Sequence, residues 1–234
     1  MLFGRALTAS AASEVLSLRP ILLTSFALLC LAHASADQTL YDGRKGTAPD
    51  RQKWTFFATG GSQSFSKASR APTFSTLGHS AFQGGYSRLL PFNLSRAKGY
   101  AVNFDLQVLA ETHGTPNRAG VDLIVLGADK KGLELGFWTD QIWAQGDKPL
   151  FHHAEGAALN TAAKLVHYQL QVQGRSYRLF ADSRPVLSGP IRDYTAFEGF
   201  INPYRTPNFL FLGDDSTSAS GSFRLTRFSV SRRK

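Results

Sequence analysis

The sequence predicts an all-β protein built as a two-sheet antiparallel sandwich. Three observations carry that prediction: apolar and polar residues alternate through much of the chain, turn residues break the alternating runs at short intervals, and no long helical periodicity follows residue 36. Period two with one apolar face is the signature of a half-buried antiparallel strand. Many short strands without a helix to cover them must bury their apolar faces against one another.

The run YAVNFDLQV at residues 100–108 shows the pattern clearly. It places Tyr100, Val102, Phe104, Leu106 and Val108 on one face and Ala101, Asn103, Asp105 and Gln107 on the other. HYQLQVQG sets Tyr168, Leu170 and Val172 against Gln169, Gln171 and Gln173. SFRLTRFSVS turns Phe223, Leu225, Phe228 and Val230 inward, with an irregularity expected near Thr226. Phe211 is assigned to the core on the same ground. Hairpin turns are expected at Gln173-Gly174-Arg175, at Ala181-Asp182-Ser183-Arg184-Pro185 and at Asp129-Lys130-Lys131-Gly132. About a dozen candidate strands lie between Lys53 and Val230.

The N-terminus reads differently. Arg5 and Arg19 precede a short apolar run, PILLTSFALLCLAHASA, which ends in two A-x-A sites. That run, about 13 residues long, falls short of the roughly 20 needed to span a bilayer. Residues 1–36 are therefore expected to be a secretory signal peptide, cleaved after Ala36 or two residues earlier. Residues 37–234 form one domain with no transmembrane span. The single cysteine, Cys30, is removed with the leader. Leu28-Leu29 before it do not fit a lipoprotein signal. Stability must then come from core burial rather than disulfides. Losing Arg5, Arg19 and Glu14 takes the full-chain charge from +9 to +8. The basic residues are scattered, and no nucleic-acid motif appears, so a nucleic-acid partner is not expected.

The order of features resembles the concanavalin A-like lectin/glucanase jelly-roll group, and within it the bacterial choice-of-anchor Y domain family. The stretches that carry the resemblance are LYDGRKGTAPDRQKW (40–54), GGYSRLLPF (84–92), RAGVDLIVLGADKKGLELGFWTDQIWAQ (118–145), PLFHHAEG (149–156) and NFLFLGDDSTSASG (208–221). It implies a secreted, concanavalin A-like jelly-roll sandwich, and the family as a class has no established activity. Members usually carry a C-terminal anchoring signal. Here only Ser231-Arg232-Arg233-Lys234 follow Val230, so anchoring by such a signal is not expected.

The segment GLELGFWTDQIWAQGD (132–147) concentrates the candidate ligand chemistry. With the hairpin loop at Asp129–Gly132, Gly127 would face Glu134 and Leu123 would face Trp138. Asp122, Ile124, Leu126, Leu133, Leu135 and Phe137 would then form a core face. The opposite face, with Val121, Leu123, Val125, Glu134 and Trp138, is also largely apolar, so something must cover it. Two readings stand: a ligand groove, or long loops such as 145–163 lying over the sheet. For a groove, Trp138 supplies a stacking surface and Glu134 an acceptor, with Gln141 and Trp143 beside them and Arg118 and His153 at the rim.

Catalysis is less well supported. Jelly-roll glucanases carry alternating carboxylates in an E-x-D-x-x-E pattern, and no E-x-D occurs in this chain. Glu134 and Asp140 on one straight strand would lie about 20 Å apart. Domains resembling 3-keto-disaccharide hydrolases do share the sandwich and a similar G-hydrophobic-E strand, which keeps a hydrolase as the alternative, and a purely structural scaffold is the third reading. No cofactor is implied. His152 and His153 point to opposite faces of a strand, which argues against a transition-metal site with His113 and Glu155. Asp214-Asp215 could take calcium, but the turn reading, in which Asp side chains cap backbone amides, is preferred. The expectation is a secreted, non-catalytic module that binds an extracellular polysaccharide or cell-surface glycan.

Overall fold

The structure is a computed structural model and describes residues 35–233. The predicted signal peptide lies outside the described residues, except for positions 35 and 36. Fifteen strands follow in order: β1 (Ser35–Asp42), β2 (Thr55–Ala58), β3 (Ser62–Ser66), β4 (Ala71–Ser75), β5 (Gly84–Leu89), β6 (Tyr100–His113), β7 (Asp122–Leu126), β8 (Gly132–Phe137), β9 (Gln141–Asp147), β10 (Leu150–Ala158), β11 (Val166–Gln173), β12 (Ser176–Ala181), β13 (Arg184–Pro190), β14 (Phe209–Asp214) and β15 (Ala219–Arg233). They form two antiparallel sheets, as the jelly-roll expectation requires. One runs β13-β12-β11-β6-β15-β4-β3, with β1 also on β15; the other runs β10-β9-β8-β7-β14-β5-β2.

The inner faces meet in one core. From the first sheet come Val102, Phe104, Leu106, Tyr168, Leu170, Val172, Phe228 and Val230, all buried as their alternation requires. The second sheet supplies Val121, Leu123, Val125, Leu133, Leu135, Phe137, Leu210 and Leu212. Phe104 links the layers: it stacks on Tyr168 and Phe228 and meets Phe137 edge-on at 6.1 Å between ring centroids. The irregularity near Thr226 is real, because the β6–β15 register shifts between Leu225 and Arg227. Strand β1, ahead of the first strand expected from the sequence, pairs with β15.

Turn chemistry works as anticipated at two hairpins. Gly174-Arg175 joins β11 to β12, with Gly174 at φ 60°. Asp182 and Ser183 join β12 to β13 at φ 47° and 67°, the left-handed pair that a two-residue hairpin turn demands. Ser183 carries a side-chain strain that glycine lacks. Ser183→Gly is expected to stabilise the protein by about 0.5–1 kcal/mol in chemical denaturation. A loss of stability there would contradict this account of the turn.

Two phase assignments are corrected. In the β7–β8 hairpin Leu126 faces Gly132, Val125 faces Leu133, Ile124 faces Glu134 and Asp122 faces Gly136. The expected pairing is thus out by three residues. The connection is longer than a four-residue loop: the Gly127 amide closes on the Lys131 carbonyl at 2.8 Å, and Lys130 takes φ 66°. An odd shift turns one strand over relative to its neighbour. Asp122, Ile124 and Leu126 therefore leave the core and share the outer face with Glu134. In β14, Leu210 and Leu212 are the core residues and Phe211 is half-buried on the outer face.

Candidate functional site

The corrected register builds the site. On the outer face of the second sheet, β7 supplies Asp122 and β8 supplies Glu134. Continuing the β8–β9 ladder from Leu135↔Ala144 sets Gln145 across from Glu134. Gly213 of β14 faces Asp122, and the next outward position along that chain is Asp215. β7, β8, β9 and the residue after β14 thus converge polar side chains on one patch; residues 150–158 form the edge strand β10 of this same sheet rather than a covering loop, and of that segment Phe151 joins the cover. The cover is the crossing from β13 to β14. Gly132 bridges Arg192 at its start, and Tyr194, Phe197 and Tyr204 lie over the sheet with Phe151. Asn202 caps the short turn Pro203–Arg205 by accepting from the Tyr204 amide at 3.0 Å, which fixes the Tyr204 ring.

A cavity of about 460 Å³ remains between sheet and cover. Glu134, Gln145, Asp215 and Arg118 lie on its polar side, and Phe151, Phe197 and Tyr204 form part of its aromatic wall. Phe200 and Ile201 stand at its mouth, Phe200 97% exposed.

Asp122, Glu134 and Asp215 each place a carboxylate oxygen within 4.8 Å of the others. Asp122 and Glu134 are 1% and 2% exposed, and Asp215 is half-buried. The Tyr204 hydroxyl donates to Glu134 Oε2. The Tyr194 hydroxyl donates to the Gln145 carbonyl at 2.7 Å and accepts from the Glu134 amide at 3.2 Å. Arg118 donates to the Asn117 and Phe151 carbonyls at 2.7 and 2.9 Å, not to a carboxylate. Neither oxygen of Asp122 receives a hydrogen bond from a donor group among the described residues, nor does Gln145 Oε1.

Burial pushes the Asp122 and Glu134 carboxyls well above the usual carboxylate range, and the Asp215 charge adds to the effect on both. Asp215 is raised by burial against the attraction of Arg118. Three carboxylates this close in a poorly solvated pocket do not all ionise without a compensating charge. Perturbed carboxyls clustered beside a cavity make this patch the candidate functional site.

Of the residues singled out in the sequence, Glu134 and Arg118 line the cavity. Trp138, Trp143 and His153 form an aromatic cluster among themselves, and Gln141 begins β9 beside it. Trp143 is fully buried and stacks on His153 at 4.3 Å. Trp138 stacks on His113 at 4.0 Å and donates its indole N–H to the Arg118 carbonyl at 2.9 Å. A sugar ring cannot use the face of Trp138 that His113 occupies. Gly136 makes room for the Trp143 ring, since a Cβ there would lie 2.7 Å from it.

Sequence reasoning missed Asp122, Gln145, Tyr194 and Tyr204 as site residues. The signal for Asp122 was a lone carboxylate in an otherwise apolar run. Of the two roles weighed for Asp214-Asp215, the turn role falls to Asp214. Asp214 faces inward, accepts from Thr76 Oγ1 at 2.5 Å and from the Ser216 amide at 3.1 Å, and so holds the turn. Asp215 points to the cavity.

No family model matches the chain, and no curated protein does. Among solved structures, a conserved carbohydrate esterase from Shiga toxin-encoding bacteriophage phi24B is similar, with TM-score 0.60 and 11% identity over 85% of this chain and 100% of that one. Alginate lyase A1-II', a member of polysaccharide lyase family 7, gives TM-score 0.48 and 12% identity over 85% and 94%. A botulinum neurotoxin type C structure gives 0.47 and 7% over 83% and 47%. At these identities the likeness is one of fold. The molecule is a jelly-roll sandwich whose outer face carries an acid-floored, aromatic-walled pocket.

Proposed function

We propose that this protein is a secreted, non-catalytic module that binds a unit of an extracellular polysaccharide or cell-surface glycan in the outer-face cavity. The observation that carries the reading is the cavity itself, whose carboxylates and guanidinium converge within aromatic walls. Sugars present hydroxyl donors at their edges and C–H surfaces on their faces. Glu134 and Asp215 supply acceptors for the first, and the rings supply packing for the second. The volume falls in the range of roughly 300–1,000 Å³ usual for small-ligand sites. The phage esterase neighbour associates the same sandwich with carbohydrate, though its low identity lends the fold and not its residues. The choice-of-anchor Y resemblance belongs to the same proposal. No helix among the described residues is long and apolar enough to cross a membrane.

Calorimetric titration with a saccharide panel tests the reading. Phe200 is exposed, so Phe200→Ala should leave folding intact and weaken saccharide binding about 3- to 10-fold. Absence of binding by the wild type to every saccharide would sink it.

Hydrolysis is a second reading, favoured by one observation. Glu134 and Asp215 both line the cavity with carboxylate oxygens within 4.8 Å of each other, a close pair of the kind that two-carboxylate hydrolysis uses. Turnover of a glycoside by the wild type, abolished in Glu134→Gln, would replace binding alone with this chemistry.

A further inference from the structure

We infer that Asp122, Glu134 and Asp215 hold a calcium ion at the floor of the cavity, with the Gln145 side-chain carbonyl as a fourth oxygen donor. Binding of the ion stands apart from the saccharide reading. Only the further step, in which the ion offers open coordination positions to sugar hydroxyls, rests on it.

The first argument is charge. Three carboxyls converge, and Arg118, the one cation lining the cavity among the described residues, directs its hydrogen bonds to backbone carbonyls. A second observation is independent of the acidic cluster. Gln145 is a neutral residue, 1% exposed, that lines the same cavity across the ladder from Glu134 with its side-chain oxygen lacking a donor. Asp122, 1% exposed, likewise receives no hydrogen bond from an N–H or hydroxyl group among the described residues. Buried acceptors left unpaired are costly, and a cation satisfies several at once.

Donor type and hydration choose the ion. Every donor is oxygen, with no histidine or cysteine in the group, which suits a hard cation. Calcium–oxygen distances of about 2.3–2.6 Å place ligands on opposite sides of the ion about 4.6–5.2 Å apart. Magnesium, at about 2.0–2.1 Å, spans only about 4.0–4.2 Å. The carboxylate oxygens lie within 4.8 Å of one another, which admits either ion, and the choice falls on calcium because magnesium keeps several of its waters and is seldom held by a set of protein oxygens alone. The surroundings also orient the ligands. Tyr204 donates to Glu134 Oε2, and Tyr194 ties the Glu134 amide to the Gln145 carbonyl. The cavity provides the way in. A bound ion would keep all three carboxyls ionised, leaving Glu134 no proton to give, and would favour binding over hydrolysis.

The test uses the full chain after chelation, without saccharide. Calorimetric titration with calcium chloride should show one ion per chain with Kd at or below about 10⁻³ M, and calcium should raise the thermal midpoint. Asp122→Asn keeps the shape and should weaken uptake at least 10-fold. Asp215→Asn, at a more exposed position, serves the same purpose should the first variant not fold. Magnesium should bind at least 10-fold more weakly than calcium. No uptake at 10-fold above that concentration, or unchanged uptake in the folded variants, would show that the carboxyls share protons instead and would overturn the proposal. Equal affinity for magnesium would overturn the assignment to calcium. Because the readout is the ion alone, failure of saccharide binding leaves it standing, and the converse also holds.

Discussion

Phe104→Ala should lower the unfolding free energy by about 3–5 kcal/mol, the range for removing a fully buried phenylalanine from a core that cannot collapse around the gap. Phe104 stacks on Tyr168 at 5.1 Å and on Phe228 at 5.8 Å within its own sheet, and touches Phe137 of the facing sheet edge-on. Collapse would require β6, β11 and β15 to move together toward β8, and their ladders forbid that. For a domain of this size the thermal midpoint should fall by roughly 10 °C. Urea or guanidinium unfolding with an unchanged m-value is the measurement. A loss below about 1 kcal/mol would mean that the two inner faces are not locked through this ring.

Trp143→Ala should have a similar effect, about 3–5 kcal/mol, although the residue sits on the outer face and the sequence marks it for ligand contact. The ring is fully buried, lies over Gly136, stacks on His153 and meets Trp138 at 5.7 Å. Its indole N–H has no partner among the described residues, so truncation removes packing rather than a hydrogen bond. Trp143→Phe, which retains an aromatic face for His153, should lose only about 1–2 kcal/mol. Saccharide affinity measured per folded molecule should be unchanged in Trp143→Phe. A folded Trp143→Ala with near-wild-type stability and no saccharide affinity would return Trp143 to the ligand surface.

The two sheets differ in how much of them the sequence reveals, and the reason is solvent. Strands β6, β11 and β15 have one face in the core and one toward water, so Asn103, Gln169 and Ser229 mark the outward phase against Val102, Leu170 and Phe228. Alternation is then an unambiguous guide. Strands β7, β8 and β14 are covered on both sides, by the other sheet and by the Tyr194–Tyr204 crossing. Apart from Asp122, every position in DLIVL and FLFL is apolar enough for either face, and the apolar pattern alone cannot choose between phases. Only the turn fixes them, and a five-residue connection was indistinguishable from a four-residue one in GADKKG. The site inherited that ambiguity. Glu134 was legible as the single carboxylate of its strand and Arg118 as a rim cation. Asp122 was assigned to the core by the wrong register. Asp215 was hidden by Asp214, whose capping role accounts for an Asp-Asp pair in a turn by itself.

Strand β15 is the last of the described strands, yet it sits in the middle of its sheet. Its 15 residues pair with β6 along one side and with β1 and β4 along the other, and its partners include Thr39 for Ser229 and Asn103 for the same residue. Without those residues, β6 with β11–β13, β3 with β4, and β1 alone are three separate pieces, because β1 pairs with nothing in the sheet but β15. The first and last described strands therefore meet at the seam of one sheet, and their pairing joins segments nearly 200 positions apart, a long loop to close. Chains lacking this strand would expose the edges of β6 and β4 and leave β1 unpaired, a recipe for pairing with another copy. The pocket, built on the other sheet, depends on that last strand only through the core both sheets share.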